Sequence, residues 1–330
     1  MRVMDSTTNS LIPAANTAPA PSLTEDDLFR LRRVIVITNG KGGVGKTSVT
    51  TNVGTLLAQA EYKVLIVDLD SQGNVANNLG FDDTEKDDGG AALHSAAIYG
   101  RAPEPIRGIR PNLDVLPGGT YTDQLMDAVH GDSLRGGKLR GCVARAIAKI
   151  APEYDIILID TPPSSAGYVY VEEAMLASRW ILAPLRPEPK SIKGLESLAD
   201  RISRVQSVNP HIQLLGVILF GVPTGATRVE KRPRDILGER LAGIAPTFSA
   251  KIRNVVAADA DASFRGEAAH ELAAEVANQG PFWERLRNGK SSGPTLAGSA
   301  GSLAEDYMSL ATEIVDHMKN QEEALEAGAN

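Results

Sequence analysis

Residues 40–47 read GKGGVGKT and follow directly on the apolar run VIVIT (34–38). Gly40, Gly42, Gly43 and Gly45, with Val44 among them, let the backbone curl so that free N–H groups face one point at a helix start. That arrangement suits a phosphate. Lys46 adds a cation for the outer phosphate oxygens, Thr47 a hydroxyl for Mg²⁺, and Ser48 extends the polar start of the helix. The same glycines also satisfy GxGxxG, the fingerprint of a dinucleotide site, and Asp68 at the end of the next apolar run could hold a ribose. The pyrophosphate of a dinucleotide, however, needs neither Lys46 nor Thr47. A third piece decides for a nucleoside triphosphate: DIILIDTPP is an apolar strand ending in Asp160, a carboxylate placed to orient the water shell of Mg²⁺.

Between these pieces lies VDLDSQGN, in which Asp68 and Asp70 stand two apart. Whether the strand persists to Asp70 or ends before it, both carboxylates lie near the metal. Asp70 is suited to positioning an attacking water rather than taking its proton early, which implies slow intrinsic hydrolysis. Lys41 is a second lysine inside the loop. At the loop's start it points away from its own γ-phosphate, so it is either solvated or aimed at something opposite.

These residues need a frame to hold them. Strand-type runs recur at VIVIT, VLIV (64–67), LDVL (113–116), DIILID (155–160), WILAP (180–184) and LLGVILF (214–220). Helical spacing separates them after residue 46 and around 138–150, 168–178 and 190–206. The expected fold class is therefore α/β, a mostly parallel twisted sheet with helices on both faces and ligands at the C-terminal ends of its strands. The reading divides the chain into a disordered tail (1–31), a single P-loop domain (32–320) with a flexible loop insertion (278–301), and an acidic C-terminal tail (321–330). FDDTEKDDGG (81–90) reads as a solvated loop.

Composition narrows the class. With 42% hydrophobic and 23% charged residues in 330, and no apolar run long enough to span a bilayer, the chain reads as a cytoplasmic globular protein. The N-terminus has no continuous apolar segment and does not read as a signal peptide. The single cysteine, Cys142, rules out an internal disulfide and a CxxC metal site. The net charge of −7 is concentrated in residues 303–330, with seven acids and one base, so the rest is near neutral and can carry local basic patches.

KGGVGKT, VLIVDLDSQGN and DIILIDTPP together resemble the ParA group of deviant Walker A ATPases, whose fold is shared with MinD and the nitrogenase iron protein. Looser similarity runs through PPSSAGYVYVEEAMLASRWILAPLRPEPKSIKGLESL and PTFSAKIRNVVAADADASFRG, covering roughly residues 33–275 and the last helix. The resemblance implies ATP and Mg²⁺ as cofactors. Lys46 becomes the P-loop lysine, Thr47 a metal ligand, Asp70 the hydrolytic carboxylate and Asp160 the Walker B acid. Lys41 becomes a signature residue reaching the partner's phosphates in an ATP-sandwich homodimer. Ser71 stands where the family often has proline. The run ILFGVPTGATR departs from the family pattern, so adenine contacts are not assignable.

Among the relatives, a MinD-like protein would end in a basic amphipathic helix, whereas this chain ends in the acidic NQEEALEAGAN; no membrane contact is expected. An iron protein needs several cysteines. Cargo partition remains, with non-specific double-stranded DNA and a ParB-like centromere-binding protein as expected partners and a nucleoid location. Three patches could contact phosphates: Arg228, Lys231, Arg232 and Arg234; Lys251 and Arg253 with Arg265; and Arg285 and Arg287. The alternative is a positioning or regulatory ATPase that acts on a protein complex without DNA.

Overall fold

The computed structural model describes residues 22–135, 137–163, 167–223, 227–242, 244–278 and 298–328. Eight strands form one sheet: β1 (Val34–Ile37), β2 (Val64–Asp68), β3 (Ile106–Arg110), β4 (Leu113–Leu116), β5 (Ile156–Asp160), β6 (Trp180–Leu185), β7 (Gln213–Val222) and β8 (Thr247–Arg253). Their order is β3-β4-β2-β5-β1-β6-β7-β8. All neighbours run parallel except the edge hairpin β3–β4. The expected class and all six strand runs are present.

Strand residues alternate between two cores. Val34, Val36, Leu65, Val67, Ile157 and Ile159 face one side. Ile35, Ile37, Val64, Ile66, Ile156 and Leu158 face the other. Burial on both faces is why these strands read as continuous apolar runs rather than as alternation. The first face is covered by α1 (Glu25–Arg30), α4 (Ala91–Tyr99), α5 (Thr120–Ser133), α6 (Cys142–Ala148), α7 (Tyr168–Leu176) and α8 (Pro189–Val205). The second is covered by α2 (Lys46–Gln59), α3 (Asn74–Asn78), α10 (Val256–Arg265), α11 (Ala269–Asn278) and α12 (Ala300–Gly328). Helix α9 (Thr227–Arg240) lies between β7 and β8 in the chain.

Three expectations shift. The tail does not extend to residue 31, because Thr24 and Asp27 form a reciprocal capping box that starts α1, and Leu23, Leu28 and Leu31 are buried. The final helix runs on to Gly328, so residues 321–328 continue it instead of forming a separate tail. Strands β3 and β8 were not foreseen. IRGIR is a charged edge strand with little burial, and TFSAKIR buries only Phe248, Ala250 and Ile252 on one face. The expected loop insertion lies largely outside the described residues.

Buried helix starts need acceptors for their free N–H groups. At α6 these come from Glu173 on α7, whose carboxylate accepts from Gly141 N at 2.7 Å and Val143 N at 3.3 Å. Burial pushes this carboxyl up to about 7, although the same N–H groups pull it down. A folded-state value above the ordinary acid range means the native protein binds the extra proton. Stability contributed by this group is therefore present at low pH and lost as pH rises from about 5 through 7. Thermal unfolding should show this slope between pH 5 and 8 in the wild type and a flatter one in Glu173→Gln; an equal slope in both would remove Glu173 as its source.

Candidate active site

The strand order sets the site. β5 lies between β2 and β1, in register Asp68↔Asp160 and Ile37↔Asp160. The acids that end β2 and β5 and the glycine loop that follows β1 thus meet at the C-terminal ends of three adjacent strands. Thr161 Oγ1 donates to Ile37 O at 2.8 Å and Leu69 N to Asp160 O at 3.1 Å, tying the three strand ends together.

Within the loop, Gly43 and Gly45 have φ of +68° and +79°. Gly45 is the N-cap of α2 and gives it no side-chain cap, so the first N–H groups of the helix face the loop's concavity. A Cβ on Gly45 would stand 2.1 Å from the ring of Phe220 at the end of β7, so only glycine fits. Helix α2 itself is buried almost all round. It tolerates threonine there because Thr50, Thr51 and Thr55 hydroxyls bond back to the carbonyls of Lys46, Thr47 and Thr51.

Lys46 begins α2 and is 6% exposed. Burial lowers its pKa, while Asp160 and Asp70 act to hold its charge. Its ammonium has no ion pair within the described residues, and a buried cation beside a ring of backbone donors is what a polyphosphate fits. Thr47 Oγ1 donates to Asp160 Oδ2 at 2.6 Å, and Thr50 Oγ1, whose proton goes to Lys46 O, lies 3.3 Å from Asp160 Oδ1. Burial raises Asp160 to about 6 against the pull of the Thr47 hydroxyl and the Lys46 ammonium. A hydroxyl and a carboxylate joined in this way are a hard oxygen pair suited to Mg²⁺ and its waters. Thr50 was not foreseen, though it stands one turn beyond Thr47 on the same helix face.

Asp70 is buried, 5% exposed, within charge range of Lys46 and Asp160. Its Oδ1 accepts from Gln72 N at 3.1 Å and its carbonyl from Gly73 N at 3.0 Å, which curls the loop beneath it. Gly118, after β4, backs that loop. A Cβ there would stand 2.2 Å from Asp70 O, so the LPGG turn admits no side chain at this point. Asp68, expected at the metal, is tied to the backbone around it. It is fully buried, and its two oxygens accept from Asp70 N at 2.8 Å and Val75 N at 3.2 Å. Burial beside Asp160 raises its pKa, and its contacts make it the support of the Asp70 loop.

Lys41 is neither simply solvated nor extended outward: Nζ meets Glu188 Oε2 at 2.9 Å. The basic patches also change. Arg253 grips Asp306 on α12 with both arms at 2.7 Å, Arg265 pairs with Glu267 and Glu275, and Arg234 donates to the carbonyls of Phe248 and Ser249. These guanidiniums hold β8, α10 and α12 in place, a use that charge counting could not distinguish from a DNA contact. Lys231 and Arg232 are exposed on α9, which also contains Arg228; Lys251 is half-buried on β8. Arg285 and Arg287 lie outside the described residues. None of the described helices is long and apolar enough to cross a membrane.

Comparison with known proteins agrees with this geometry. The AAA domain family matches residues 32–214. The chromosome partitioning protein ParA of Caulobacter vibrioides is 35% identical over 191 residues, covering 57% of this chain and 68% of that protein. The sporulation initiation inhibitor protein Soj of Bacillus subtilis is 34% identical over 193 residues, covering 57% of this chain and 72% of Soj. Among solved structures, pNOB8 ParA superposes with a TM-score of 0.62 at 20% identity, over 88% of this chain and 99% of that one, a likeness of fold. The loop, the two strand-end acids and these relatives point the same way, and the chain belongs to the ParA family of partition ATPases.

Proposed function

We propose that this protein is a Mg²⁺-dependent ATPase that partitions DNA, switching between an ATP-held dimer on DNA and a released form. The observation that carries the reading is the Thr47–Asp160 hydrogen bond beside buried Lys46, at the mouth of a loop whose N–H groups face inward. In this reading Gly40, Gly42, Gly43, Val44 and Gly45 cradle the phosphates, Ser48 lies in the first turn behind them, and Lys46 holds the outer oxygens. Thr47 and Asp160 hold the metal, which when bound screens phosphate charge. Asp70 orients the attacking water, and Lys41 reaches the nucleotide of a second copy. With no strong base at Asp70, intrinsic turnover is slow, and a ParB-like partner accelerates it.

DNA contact falls to the α9 face, where Lys231 and Arg232 are exposed and Arg228 lies in the same helix. Each protomer offers only a few cations, so binding strengthens when ATP joins two faces on one duplex. The expected result is retention on non-specific DNA with ATP and not with ADP, falling steeply with salt, and weakened by Lys231→Glu with Arg232→Glu. The internal pairing of Arg234, Arg253 and Arg265 favours the second reading, a positioning ATPase that acts on a protein complex. That reading gains if the charge reversals leave DNA retention and partition unchanged.

A further inference from the structure

The end of β6 and the segment that follows it fasten to the phosphate loop and its leading residue at three points. Asn39 Nδ2 donates to Pro184 O at 2.5 Å. Arg186 Nε donates to Gly43 O at 2.8 Å. Lys41 Nζ meets Glu188 Oε2 at 2.9 Å. The first two contacts fix backbone. The third joins two side chains that are 43% and 48% exposed, and such a pair is weak enough to be exchanged.

The two ends of that pair differ in rigidity. Glu188 is the N-cap residue of α8, its N–H donating to Arg186 O at 2.7 Å and its carbonyl accepting from Ser191 N at 3.0 Å. Its carboxylate also stands at the positive end of a 17-residue helix. Lys41 stands between two glycines on a long, flexible stem. The acid's backbone is therefore the held element, and the lysine is the one with the longer reach.

We propose that Glu188 is a positioning residue that latches Lys41 within its own chain, and that Lys41 leaves it only for the triphosphate bound by a second copy. This rests on the reading of Lys41 as a residue that acts in trans. A carboxylate offers one negative charge, a triphosphate several, and a diphosphate fewer, so the exchange favours ATP over ADP. The latch thus sets a threshold for dimerisation and sharpens its dependence on the γ-phosphate.

The test measures dimerisation by light scattering across protein concentrations, with ATP and Mg²⁺, in an Asp70→Ala background that keeps the nucleotide intact. Releasing one half-exposed ion pair in each protomer, Glu188→Gln should raise the dimerisation constant by about fivefold. Glu188→Ala should do the same, and neither should act once Lys41→Ala is also present, because the two residues then form one coupled pair. An unchanged or lower constant in the Glu188 variants overturns the latch, since a merely structural role for Glu188 predicts loss. If Lys41→Ala weakens dimerisation while the Glu188 variants do nothing, the latch fails and the trans reading stands. If Lys41→Ala leaves dimerisation unchanged, both fail.

Discussion

Asp70→Ala is expected to lower ATP turnover by about a hundredfold or more while leaving ATP binding intact, as loss of a water-orienting carboxylate does. The separation of the two effects follows from position. Asp70 lies on a separate loop after β2, held by Gln72 N and Gly73 N, whereas phosphate binding rests on α2, Lys46 and the glycine turn. Removing the Asp70 carboxylate takes away one of the two charges that hold the Lys46 cation, but Asp160 remains beside it, so the change acts on turnover without unmaking the cradle. Steady-state phosphate release, together with titration of a fluorescent ATP analogue, checks both halves. Turnover at the wild-type rate would take Asp70 out of the reaction.

Lys41→Ala should lower turnover comparably, by about a thousandfold if Lys41 supplies transition-state charge in trans as an arginine finger does. Binding of ATP by the monomer should not change, because the Lys41 ammonium rests on Glu188 and contributes nothing to the cradle of its own chain. A solvated lysine predicts the opposite, normal hydrolysis at every protein concentration. The dependence of specific activity on concentration is therefore the more telling readout: it should rise with concentration in the wild type and stay flat and low in Lys41→Ala.

Much of this site was legible in the residues themselves. GxxxxGK[ST] between a strand and a helix, and an apolar strand ending in Asp160, are tied to chemistry that tolerates few substitutes, and the sheet order brings them together as expected. Two acids two apart could not be told from each other in sequence. Only the fold shows that Asp68 spends its oxygens on Asp70 N and Val75 N and so supports the loop that carries Asp70. The internal pairing within the charge patches was hidden for a related reason. Arg253 and Asp306 are 53 residues apart, and nothing local marks them as a pair. Glu188 was hidden in the same way, since its partner Lys41 is 147 residues distant. The edge strands escaped because they are half-exposed and carry charge, so the apolar signal that revealed the central strands is missing.

The central claim is that two chains share each ATP, and mixing two inactive variants tests it most directly. In a Lys41→Ala and Asp70→Ala heterodimer, one site combines an intact Asp70 with the partner's intact Lys41, while the other site lacks both. ATPase activity should therefore reappear on mixing and reach roughly a quarter of the wild-type level at equal concentrations, given two-fold symmetric pairing at random. If Lys41 served the nucleotide of its own chain, no site in the mixture would be complete, and activity that stays at the level of the separate variants would contradict the account.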